Sequence, residues 1–229
     1  VCSRKDALEG RENIVVGTFN IAWLGDGVND QIDRVTDDYR RIADVIRETN
    51  VDVMGLEEIE NAAAVDSVLQ FLPGYERVVG TKGRQQNVAA IYRTGMDVRF
   101  VEEYEPIAIQ AGRNRPGLIL QCRAGNFDWT MMVVHLKSTS RYDSTDEMRD
   151  ESRVTRRLQA ERMHEWAKTL IDGSDEKDII VVGDFNDTPT RKKDPTLTPL
   201  LADDLLTFLT TDMTSCKNPN WKVIDHIVV

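Results

Sequence analysis

The chain has 229 residues, is 41% hydrophobic and carries a net charge of −10, with 29 Lys and Arg against 39 Asp and Glu. That apolar share excludes a disordered chain, and no apolar run approaches the roughly 20 residues that span a bilayer. Three cysteines without any CxxC spacing exclude a disulfide scaffold and a thiolate zinc site; the acidic balance argues against holding nucleic acid by bulk positive charge, although a cation could neutralise a polyanion locally.

The sequence begins at Val1 and shows no shift in charge or in Pro and Gly content, no internal repeat and no long linker, so residues 1–229 are read as one domain. The missing Met and Cys2 favour an exported location over a cytoplasmic one, and a Cys2 bridge to Cys122 or Cys216 stays open.

Residues 14–19 form a β-rich run ending at Asn20. Val35, Tyr39, Ile42 and Ile46 then recur at helical spacing, closed by Asn50. Residues 51–56 (VDVMGL) read as a buried strand, and 62–72 as a helix stopped by Pro73-Gly74. Strands are predicted at 75–79, 87–92, 97–104, 117–123 and 127–136. The polar stretch 138–152 reads as a loop, 152–171 as a second long helix, and 178–183 and 223–229 as the last two strands. Helices standing between strands, several of them hairpin-like, predict an α/β or α+β sandwich in which helices cover stacked sheets.

Several of these strands lead into residues that bind metal or phosphate. The first gives Asn20 and the second Glu57-Glu58; 127–136 carries His135, 178–183 runs into Asp184-Phe185-Asn186, and the last carries Asp225-His226. Carboxylates with an amide carbonyl suit a hard cation, Mg²⁺, Mn²⁺ or Ca²⁺, rather than zinc. Each residue alone also has an ordinary explanation: a structural His, an Asp capping a turn, a solvated Glu corner. Their recurrence in order at the ends of apolar strands favours phosphoester chemistry, with His135 a candidate to protonate a leaving oxygen.

The segments TFNIAWLG (18–25), VMGLEEIEN (53–61), QNVAAIYR (86–93), RPGLIL (115–120), VVHLKS (133–138), VVGDFNDTP (181–189) and VIDHIVV (223–229) together resemble the endonuclease/exonuclease/phosphatase superfamily, in its deoxyribonuclease-like, bacterial nuclease-like branch. The resemblance implies a four-layer α-β-β-α sandwich of two mixed or antiparallel sheets, with a metal-dependent phosphoesterase site at one edge. It implies that Glu58 binds metal and that Asn20 supports metal and phosphate. Asp184 and Asn186 would position the attacking water and hold a phosphoryl oxygen, and His135 would contact the scissile phosphate. Asp225 would orient the catalytic histidine or bind metal. Asn87 and Arg115 are weaker matches for substrate-phosphate contacts.

The superfamily closes on a Ser-Asp-His motif. Asp225-His226 does not fit it, since no Ser precedes Asp225 and no Pro follows His226. The expectation is therefore a chain trimmed before its last strand, or a member that has lost the motif. The Arg-rich helix (Arg153, Arg156, Arg157, Arg162) is a solvated face or a source of phosphate contacts. Sparse aromatics, 7% of residues, do not indicate an extensive base-stacking platform. The function expected is Mg²⁺-dependent phosphodiester hydrolysis with a nucleic-acid substrate and no indicated protein partner. The alternatives are a phosphomonoesterase or phospholipid-type esterase of the same superfamily, or a binding module that has lost the chemistry.

Overall fold

The computed structural model describes residues 13–110, 112–140, 142–174 and 177–229; Cys2 lies outside them, while Cys122 is buried and Cys216 exposed. Chain order runs β1 (Val16–Leu24), α1 (Thr36–Thr49), β2 (Val53–Ile59), α2 (Ala62–Leu69), β3 (Tyr75–Val79), β4 (Asn87–Arg93), β5 (Asp97–Tyr104), β6 (Gly117–Ala124), β7 (Phe127–His135), α3 (Asp146–Gly173), β8 (Ile179–Asp184), a small hairpin of β9 (Thr214–Ser215) and β10 (Asn218–Lys222), and β11 (Asp225–Val228).

One sheet has the order β1-β2-β4-β3 and the other β11-β8-β7-β6-β5. Both are mixed: β1 runs parallel to β2 and β7 parallel to β8, and the remaining pairs are antiparallel. Parallel neighbours need a crossover, supplied here by α1 and α3.

Three apolar layers hold the sandwich. Tyr39, Ile42, Ala43 and Ile46 of α1 and Val65 and Val68 of α2 cover Met54, Leu56, Ala89 and Ile91 on the outside of the first sheet. Ala160, Met163, Trp166 and Ala167 of α3 cover Met132, Val134, Ile179 and Val181 on the outside of the second. Between the sheets lie Val53, Val88 and Ala90 against Leu118, Leu120, Trp129, Met131, Val133, Ile180 and Val182. This is the α-β-β-α sandwich expected. Gly55 sits where the two sheets meet, and a Cβ there would lie 2.7 Å from Val182 and 2.9 Å from Val133.

The second long helix starts six residues before its predicted limit. Thr145 caps it by accepting from the Met148 N–H, and Arg149–Asp146 and Arg153–Asp150 pairs lace its first turns. Met148 is the one apolar residue in those turns, so no apolar period betrays them.

Candidate active site

Strand alternation assembles the site. In β7 the residues facing the other sheet are Trp129, Met131 and Val133, and in β8 they are Ile180 and Val182. The next inward positions are His135 and Asp184, the last residues of their strands and partners across the ladder. Asp225 pairs with Asp184 from the other side, so three strands place His135, Asp184 and Asp225 in one row. In the first sheet the same parity carries Val16, Thr18 and Asn20 along β1 and Val53, Gly55 and Glu57 along β2, with Asn20 opposite Glu57. The two rows meet at one end of the sandwich.

Glu58 has the wrong parity for this row and reaches it through a bulge. The β2–β4 register shifts between Glu57 and Ile59, and Glu58 takes a left-handed φ of 63°. Ala22, Trp23 and Asn186 also have positive φ, at 57°, 62° and 52°. Four non-glycine residues held this way around one site are local strain of the kind that pre-organises functional groups. Gly183 permits the close approach of β7 to β8 beside them: at its φ of 148°, a Cβ would lie 1.9 Å from the Val134 carbonyl oxygen.

The Asn20 amide ties the sheets together, Nδ2 donating to Glu58 Oε1 at 3.2 Å and to Asp184 Oδ2 at 3.0 Å. Its Oδ1 accepts from the Ala22 N–H at 2.9 Å. The reverse orientation would aim an oxygen at two carboxylates, so in this arrangement Asn20 bridges the two acids through its amide nitrogen. Glu58 Oε2 accepts from the Trp23 N–H at 3.1 Å and from Gln86 at 3.4 Å. Neither Glu58 nor Asp184 is paired with an Arg or Lys among the described residues. Two adjoining acids held by neutral donors are a hard-oxygen set that fits a divalent cation, with Glu58 the natural ligand.

Glu57, beside it, is fully buried. Thr18 Oγ1 donates to its Oε1 at 2.7 Å, and Oε2 has no partner. Burial pushes its carboxyl well above the usual range. Asp184 is raised to about 7, chiefly by burial and then by the Asp225 carboxylate, against hydrogen bonds from the Asn186 N–H and Asn20.

Arg115 approaches His135 Nδ1 with one guanidinium nitrogen and donates to Gln86 Oε1 at 3.2 Å with the other. A guanidinium only donates, so Nδ1 must accept and Nε2 carries the ring proton. Nε2 lies 3.8 Å from Asp184 Oδ2, too far for a hydrogen bond. Burial and the Arg115 charge hold the His135 pKa well below its ordinary value. In this tautomer the ring offers the Nε2 N–H toward the cavity as a donor.

Glu58, Gln86, Arg115, His135, Asp184 and Asn186 all line one cavity of about 500 Å³, walled further by Arg113, Lys137 and Ser138. Asn186 donates to the Leu136 carbonyl oxygen at 3.1 Å. Asn87 is not brought to this cavity. In β4 the inward residues are Val88, Ala90 and Tyr92, so Asn87 points the other way, buried, with Nδ2 on the carbonyls of Glu60 and Arg84 and Oδ1 on the Gly83 N–H. It shapes the loop before β4. Asp225 and Asn20 border a second cleft, which shares Asp184 with the first. His226 faces away, fully buried between Phe185 and Phe208.

Two buried residues brace the site: Arg156, which the sequence groups with the arginines of a solvated or phosphate-contacting face, and Asp187, which sequence reasoning passed over. Arg156 is 4% exposed, and its Nη1 donates to the Asn186 carbonyl at 2.7 Å while Nη2 donates to Thr139 Oγ1 at 3.0 Å. Its neighbours Arg153, Arg157 and Arg162 are paired with acids of their own helix at the surface. Asp187, also fully buried, accepts from Thr188, Arg191 and Thr196. A separate acidic group, Asp26, Asp30 and Glu60, clusters outside this cavity.

The chain is thus a four-layer α-β-β-α sandwich with acids, a histidine and amides gathered at one edge. The sequence profile of the Endonuclease/Exonuclease/phosphatase family matches residues 17–229, and the chain belongs to that family. No curated protein matches it in sequence. Among solved structures it is similar to a mannosyl-6-phosphatase from Bacteroides thetaiotaomicron (15% identity, 94% of this chain and 85% of that one, TM-score 0.67). It is also similar to truncated Caenorhabditis elegans TDP2 (18%, 91% and 82%, TM-score 0.62) and to the human Nocturnin catalytic domain with bound sulfate (15%, 83% and 74%, TM-score 0.56). At these identities the likeness is one of fold.

Proposed function

We propose that this chain is a Mg²⁺-dependent phosphodiester hydrolase acting on nucleic acid. The observation that supports this reading best is the placement of Asp184, tied through Asn20 to Glu58, at the junction of two open cavities. A phosphodiester has an ester arm on each side of phosphorus and needs room in both directions. A monoester needs only one.

Glu58 would hold the cation, which supplies charge neutralisation on the phosphoryl oxygens and lowers the pKa of water. Asp184 orients the attacking water and takes its proton. The Nε2–H of His135 and the Asn186 amide donate to the phosphoryl oxygens as charge builds on them. Arg115 holds the histidine in its donor tautomer and adds positive charge at the same wall.

The test is hydrolysis of bis(p-nitrophenyl) phosphate, p-nitrophenyl phosphate and a short oligonucleotide with Mg²⁺, Mn²⁺ or EDTA. Cleavage of the diester and the oligonucleotide with metal, abolished by EDTA, is expected. Turnover of the monoester alone would overturn the diesterase reading.

A further inference from the structure

The second cleft, of about 870 Å³, runs from Asp184 and Asp225 between the loop after β8 and the β9–β10 hairpin. In a chain of net charge −10, the segments 191–193 and 217–222 hold five cations and no carboxylate. All five, Arg191, Lys192, Lys193, Lys217 and Lys222, line this cleft. Arg191 is tied to Asp187, and Lys222 lies 3.9 Å from Asp212. Lys192, Lys193 and Lys217 make no salt bridge among the described residues, and Lys217 lies near enough to Asp225 to act on its carboxylate. Trp221 lines the same cleft at 60% exposure and stacks on no described ring. The indole face is therefore accessible to a ligand in the cleft, beside cations that no salt bridge ties down.

We propose that this cleft holds a single-stranded nucleic acid running away from the scissile phosphate, its flanking phosphates on Lys192, Lys193 and Lys217 and one base stacked on Trp221. The assignment rests on the phosphodiesterase reading and names its substrate. A groove of cations with an aromatic face is the chemistry that takes a single strand without reading its sequence. A duplex keeps its bases in the stack and offers none to an isolated ring in this way. One ring is enough for one base, so the low aromatic content is no obstacle.

The cleft is tested by fluorescence anisotropy with a labelled single-stranded oligonucleotide in EDTA, titrated at several salt concentrations, on the full chain and on Trp221→Ala and Lys192→Ala/Lys193→Ala. All three lie on exposed side chains, and an unchanged Tm checks folding. Trp221→Ala is expected to weaken binding about 10-fold, within the range for losing one base stack. The double lysine variant is expected to reduce the slope of log affinity against log salt by about 1.4, since each phosphate contact on a single strand contributes roughly 0.7. With Mg²⁺, the kcat/KM ratio of oligonucleotide over bis(p-nitrophenyl) phosphate should fall about as far in each variant. Oligonucleotide binding equal to that of the unmodified chain in both variants, or no binding by the unmodified chain, overturns the proposal. Binding that depends on Trp221 and the lysines in a protein that hydrolyses no diester keeps the cleft and removes the phosphodiesterase reading. Hydrolysis with an unaltered substrate ratio in both variants does the reverse.

Discussion

Arg156, buried in α3, donates through Nη1 to the main-chain carbonyl of Asn186 at 2.7 Å, and through Nη2 to Thr139 at 3.0 Å. One side chain thereby clasps the segments that follow β7 and β8, which line the cavity through Lys137, Ser138 and Asn186. Its position is a packing consequence, because Ser152, Thr155, Arg156, Gln159, Ala160 and Met163 share the buried face of the helix.

Arg156→Ala should therefore cost about 1–3 kcal/mol of stability, the range for leaving a buried carbonyl without its donor. It should lower kcat for bis(p-nitrophenyl) phosphate more than it raises KM, because Asn186 stays present but loosely placed. Arg156→Lys, which can reach one partner but not both, should recover part of each. Thermal unfolding and steady-state kinetics on the pair check this, and an unchanged kcat in Arg156→Ala would remove its positioning role.

The two tight glycines should respond differently to a methyl group. At Gly55 a Cβ meets the side chains of Val182 and Val133, which can shift, so Gly55→Ala should cost about 1–3 kcal/mol as ordinary overpacking. At Gly183 it meets the Val134 backbone at 1.9 Å in a conformation that L residues avoid. Gly183→Ala should lower Tm further than Gly55→Ala; the opposite order would contradict the packing described.

Much of this architecture is legible in the sequence because β7 and β8 are apolar strands whose last inward position is polar. What sequence could not supply is parity between partners. Asn87 and Glu58 both stand beside inward-facing residues, and only the β2–β4 register with its bulge shows that Glu58 turns into the cavity while Asn87 turns out. Arg156 was readable in principle: it recurs with Ser152, Gln159 and Met163 at helical spacing, whereas Arg153 and Arg157 do not. The β9–β10 hairpin has too few residues per strand for any period to show.

His226 supports the same loop from behind. Its Nε2 donates to the Asp187 carbonyl at 3.0 Å, and in the neutral ring its Nδ1 accepts from Thr210 Oγ1 at 2.7 Å. Burial holds its pKa below the ordinary value. As pH falls through about 6.5 the unfolded chain takes up a proton that the folded chain refuses, so this histidine makes stability fall with falling pH. Asp184, raised to about 7, acts in the opposite sense, so the informative quantity is a difference. The Tm advantage of the unmodified chain over His226→Gln should shrink between about pH 7.5 and about pH 5.5. A constant difference would show that the ring is not held neutral.

Removing the proposed machinery should cost activity and little stability. Asp184→Ala and His135→Ala should each lower diester hydrolysis by about 10²–10⁴-fold, the range for positioned acid–base and donor groups. Their Tm values should stay within a few degrees of the parent. For Asp184 the lost hydrogen bonds are offset by removing a buried carboxylate repelled by Asp225. Near-normal turnover in either variant, measured with bis(p-nitrophenyl) phosphate, would sink the role assigned to that residue.

The most direct test of a Glu58-held cation driving diester hydrolysis is a Mg²⁺ titration of bis(p-nitrophenyl) phosphate turnover in the unmodified chain and in Glu58→Gln. A Tm read at each Mg²⁺ concentration would accompany the kinetics. Gln preserves the shape of the side chain and removes its charge. The account predicts saturable activation and a Mg²⁺-dependent rise in Tm for the unmodified chain, with both curves displaced to at least tenfold higher Mg²⁺ in the variant. Superimposable titrations, or full turnover of the unmodified chain in EDTA, would contradict it.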